Sequence, residues 1–88
     1  MQTLRISPNL SLEFSYTKDS TFVKILRQGL KYPLRGDDIR IGPNSYSKDR
    51  QPEVVENDAG VVTLLMPNNE TVMVRAHKLN LILVKGMK

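Results

Sequence analysis

The 88-residue chain contains no cysteine and no tryptophan, and only one histidine. Without thiols there is no disulfide staple, no thiolate nucleophile and no Cys-ligated zinc or iron–sulfur centre. A single imidazole, His77, has no carboxylate at helical i+3 or i+4 spacing, so no metal site is expected around it. Aromatic residues amount to two Phe and three Tyr, a poor supply for a sugar-binding cleft. The glycines (Gly29, Gly36, Gly42, Gly60 and Gly86) are too scattered to form a phosphate-cradling loop. No Gly-x-Ser-x-Gly stretch supports a Ser/His/Asp triad. Apolar runs are short, the longest lying around residues 61–66 and 81–84. A membrane-spanning helix needs about 20 apolar residues, and the N-terminal Met1, Gln2, Thr3, Leu4 and Arg5 hold no signal-peptide core. These absences lead to an expectation of one soluble cytoplasmic domain spanning 1–88, not an enzyme, with no cofactor, no metal and no membrane partner.

What is present is a basic globular chain. Hydrophobic residues make up 40% and charged residues 25%, with a net charge of +4 and a pI near 9.6. A chain this short buries only about 60–65% of its unfolded surface, so its core is marginal and a partner subunit is a natural supplement. The charge is uneven. Residues 1–23 are neutral, 24–50 carry +4, 51–70 carry −4 and 71–88 carry +4. Two basic blocks therefore flank an acidic one. If the fold joins the basic blocks, the molecule gains a cationic face suited to a polyanion; otherwise the charges form an ordinary solvated surface.

Periodicity gives mostly strands. Leu10, Leu12, Phe14 and Tyr16 alternate with Ser11, Glu13, Ser15 and Thr17, which reads as a half-buried strand. Residues 3–6 form a strand before it, and Ser7-Pro8-Asn9 is a turn, giving an N-terminal hairpin. Residues 61–66 and 71–76 are apolar and β-branched around the polar turn Pro67-Asn68-Asn69-Glu70, a second hairpin. Residues 80–84 form a last strand after a connector, 76–79, that fits one tight helical turn. Short strands are also expected at 38–41 and from Val54, the latter ended by Asn57-Asp58-Ala59-Gly60. The stretch 42–52 is polar, bracketed by prolines and without hydrophobic period, hence a long loop.

Residues 20–28 are ambiguous. As a helix, Phe22, Val23, Leu26 and Leu30 make one stripe, with Asp19 or Ser20 as N-cap and Gly29 at the C-terminus. As a strand, the β-branched Thr21, Val23 and Ile25 fit better. The helix is preferred. Short strands at regular spacing give a mainly β fold, a small barrel or sandwich with an N-terminal hairpin. The order strand, long loop, strand, turn, strand, turn, strand, short connector, strand resembles SH3-like barrels in pattern only. An OB-like barrel is the closest competitor.

Two binding roles follow. Small β-barrels bind single strands by stacking bases on aromatics and tracking phosphates with Lys and Arg. The candidate DNA- or RNA-binding cations are Lys24, Arg27, Lys31, Arg35, Arg40, Lys48, Arg50, Arg75 and Lys78. The candidate stacking rings are Tyr32 and Tyr46, both in loops beside basic residues, whereas Phe14, Tyr16 and Phe22 are assigned to the core. The rival is a protein-interaction or assembly module: an accessory subunit, an inhibitor or a phage or mobile-element protein, oligomeric, using Met66 and Met73 as apolar contacts. In that reading the acidic residues 53–58 pair with basic residues 24–50 between subunits. Arg35-Gly36-Asp37 matches an adhesion tripeptide, and Asn9-Leu10-Ser11 and Asn69-Glu70-Thr71 match glycosylation sequons. All three are read as turn sequences, idle in a cytoplasmic protein.

Overall fold

The computed structural model describes residues 2–29, 31–43 and 52–86. These hold nine strands and no helix: β1 (Gln2–Ser7), β2 (Leu10–Tyr16), β3 (Ser20–Arg27), β4 (Leu34–Arg35), β5 (Ile39–Pro43), β6 (Glu53–Asp58), β7 (Val61–Leu65), β8 (Thr71–His77) and β9 (Asn80–Lys85). They form two antiparallel sheets. Sheet A has the order β1-β2-β3-β4, with β5 also paired to β3, and sheet B has the order β6-β7-β8-β9.

The expected alternation places the core. On β2 and β3, Leu12 is opposite Ile25 and Phe14 opposite Val23. On β7 and β8, Val62 is opposite Val74 and Leu64 opposite Val72. These side chains, with Ile41, Met66 and Leu81, form one buried cluster drawn from both sheets. Buried Thr21 satisfies its hydroxyl by donating to the Pro43 carbonyl at 3.1 Å. Met66 is therefore core, not a docking contact, while Met73 is only partly buried.

Three sequence expectations are corrected. The stretch 20–28, expected as a helix, is strand β3 over Ser20–Arg27, with Gln28 outside it. A helix would point only one stripe inward, whereas the pleat buries Thr21, Val23 and Ile25 together and β2, β4 and β5 supply its backbone partners. Gly29 does have a positive φ of 84°, but after a strand. The connector 76–79 is likewise not a helical turn. β8 continues to His77, which pairs with Asn80, leaving Lys78 and Leu79 as the turn. Phe22, finally, is half-buried and outside the core cluster, because it lies on the opposite side of β3 from Val23.

Tight turns set the registers. Asp58 pairs with Val61, and the two residues between them, Ala59 and Gly60, both have positive φ, 52° and 83°. Two consecutive left-handed residues match the right-handed twist of a two-residue hairpin. The five-residue link 66–70 is closed by Met66 N–H donating to the Glu70 carbonyl at 2.8 Å and Asn69 N–H to the Met66 carbonyl at 2.9 Å.

Candidate nucleic-acid interface

The side of sheet A away from the core is mostly polar, and its centre, Ser11, Glu13 and Leu26, is buried. Register puts Thr3, Glu13 and Lys24 in one row, and Arg5, Ser11, Leu26 and Arg35 in the next. A third row holds Ser15, Phe22 and Arg40. This side thus collects four cations around Glu13. Glu13 is only 6% exposed and accepts a hydrogen bond from Arg35 Nε at 2.8 Å. A charge-assisted bond to a buried carboxylate contributes about 1–2 kcal/mol once the exposure of the arginine is allowed for. Lys24 lies 3.7 Å from Asp38 with both groups partly exposed, a contact worth under about 1 kcal/mol. Arg40 Nε donates to Ser20 Oγ at 2.8 Å, which orients the guanidinium without neutralising it.

One end of sheet A adds further cations. Arg27, the last residue of β3, donates from Nε to the Lys78 carbonyl at 2.6 Å. Gln28 N–H donates to the Asn9 carbonyl at 2.9 Å. The β1–β2 turn, the β3–β4 link and the β8–β9 turn therefore converge at this pole. The β3–β4 link carries Lys31 and Tyr32. The Tyr32 ring is 70% exposed, with Lys31 Nζ 5.7 Å from its centroid.

The structure thus places Lys24, Arg35 and Arg40 on the outer side of sheet A, and Arg27, Lys31, Tyr32 and Lys78 at its adjoining pole. Arg75 is not among them. It pairs in register with Val61 and Ile82, on the side of sheet B away from the core. Tyr46, Lys48 and Arg50 lie outside the described residues. The sequence reading misses Arg5, whose place in the same row as Arg35, three strand spacings away, depends on three strand registers, and Glu13, which ties Arg35 down. The acidic residues of β6 lie on sheet B, so the described part of the first basic block and the acidic block occupy different sheets.

A cleft of about 500 Å³ lies at the seam between β1 and β6, where Arg5 of the cationic side shares the lining with Leu4, Glu53, Val54, Leu65 and Met66 among others. Among the described residues no group of three or more His, Asp or Glu side chains is placed to hold a metal ion. None forms a helix long and apolar enough to cross a membrane. The fold and this surface define a mainly β protein of two facing antiparallel sheets with a cationic side. The chain matches no family model, no curated protein and no solved structure.

Proposed function

We propose that the chain is a non-enzymatic cytoplasmic module that binds single-stranded DNA or RNA across the outer side of sheet A. The observation that carries the reading is the gathering of cations there, with an exposed tyrosine at the same pole, while the acidic strand β6 sits in the other sheet. Arg5, Arg27, Lys31, Arg40 and Lys78 track the phosphates, and Tyr32 offers a face for a base. The packing of β1 near β6, and of β9 near β3 and β5, supports a half-open barrel of the SH3-like or OB-like kind. Barrels of that class present such surfaces to single strands.

Fluorescence anisotropy with labelled 20-mer oligonucleotides at graded salt tests the proposal. Five phosphate contacts predict a slope of log K against log salt of about −3.5, from about 0.7 per phosphate. The double variant Lys31→Glu with Arg40→Glu is expected to flatten that slope by about 1–2. Tyr32→Ala is expected to weaken binding by about 5- to 150-fold, the equivalent of about 1–3 kcal/mol for a stacked base, with the slope unchanged. No association in low-salt buffer, or equal affinity in wild type and double variant, overturns the reading.

A further inference from the structure

The side of sheet B away from the core has a different character. Its registers give three rows: Asp58, Val61, Arg75 and Ile82; Glu56, Thr63, Met73 and Lys85; Glu53, Leu65 and Thr71. Each full row runs from a carboxylate on β6, through an apolar or weakly polar middle, to a cation on β8 or β9. Of the exposed large hydrophobic side chains among the described residues, Ile82 lies on this side by register; Val55 and Val84 sit at bulges in the outermost strands, and Leu83 lies opposite core Val74 on the other side. A groove of about 280 Å³ lies on this side, with Val61, Thr63 and Met73 between the carboxylates Glu56 and Asp58.

The edges of sheet B are poor docking sites. β6 carries a bulge at Val55, between Val54 and Glu56, and β9 one at Val84, opposite the step from Met73 to Val74. Bulges twist an edge away from further pairing. β6 also lies near β1, and β9 near β3 and β5. The face, not the edge, is left to be covered.

We propose that two copies of this chain stack face to face through sheet B, about a two-fold axis parallel to its strands. Charge selects that axis. A two-fold perpendicular to the strands would lay β6 on β6 and set carboxylate against carboxylate. The parallel axis lays β6 of one copy on β9 of the other at the same height. Glu56 then meets Lys85 of the partner subunit, Asp58 comes within reach of Arg75 of the partner subunit, and the partner's Ile82 lies over the β6 end of the groove, beside Val61. The contact is isologous, so every pair occurs twice. The face measures only about 19 Å by 17 Å from strand spacing and rise. That is less than a standard interface, so the dimer is a weak, transient one.

Sedimentation equilibrium from about 10 µM to 1 mM reads the mass directly. Wild type is expected to shift from monomer to dimer across this range. Glu56→Lys and Lys85→Glu are each expected to weaken association about tenfold, since each sets like charges against each other twice. The combined swap, Glu56→Lys with Lys85→Glu, is expected to restore it. Within one copy these positions lie three strand spacings apart, about 14 Å, too far to pair. Restoration therefore reports contact between copies. Both residues are exposed, and circular dichroism checks that each variant keeps its strands. A monomer throughout the range, single reversals that leave the dimer intact, or a double swap as weak as the singles overturns the proposal.

Discussion

Gly36, just after β4, packs against the β8–β9 turn. Its N–H donates to the Ile25 carbonyl at 2.9 Å. A Cβ built on it would lie 1.7 Å from the Leu79 carbonyl oxygen and 2.8 Å from the Ile25 side chain. The first obstacle is backbone in the β8–β9 turn, so it cannot rotate aside. Gly36→Ala is expected to destabilise the fold by about 3 kcal/mol or more, the upper end for overpacking, read as a lowered urea midpoint. The same turn holds the Lys78 carbonyl that accepts from Arg27. The variant therefore also loosens the cationic pole, and oligonucleotide affinity should fall in conditions where the protein is still folded. Nothing in Arg35-Gly36-Asp37 announces this role. The need for a glycine comes from a residue 43 positions later in the chain, and only the packed fold brings it near.

At the level of single strands, the N-terminal hairpin and the β7–β8 hairpin are legible because apolar and polar residues alternate along them, so period two shows in the residues even where, as over residues 11–14 of β2, both sides are buried. β3 is not. Its outer side carries Phe22 and Leu26 next to Lys24, so both sides look mixed, and a helical stripe can be drawn through Phe22, Val23, Leu26 and Leu30. The deciding term is pairing on both flanks, which propensity along one segment does not contain. The strand assignment has a sharp consequence. Ile25 is fully buried, although it falls outside that helical stripe. Ile25→Ala is expected to cost about 2–5 kcal/mol in denaturant unfolding, and Phe22→Ala, at a half-buried site, clearly less. The candidate site was legible in the same partial way. Lys24, Arg35 and Arg40 share a side through local registers, but the meeting of Arg27 and Lys78 spans 51 residues and has no local signal. Arg75 was grouped with them by charge alone, and the pleat of β8 turns it the other way.

Across the whole molecule the two proposed surfaces are back to back, separated by the shared core. Dimerisation through sheet B would leave both cationic sides outward, so the two activities do not compete, and oligonucleotide binding should proceed in the charge-reversed monomers as well. The connectivity of the sheets carries one more consequence. Among the described residues every strand ladder lies wholly within 2–43 or within 53–85. Severing the chain between Pro43 and Pro52 would thus break none of these ladders, yet it would part the core into halves that each expose their inner side. Two separately made pieces are expected to be unstable alone and to reassemble when mixed, recovering strand-type circular dichroism and cooperative melting. A polypeptide built this way is a natural candidate for fragment complementation, its halves joined by side chains rather than by a common backbone network.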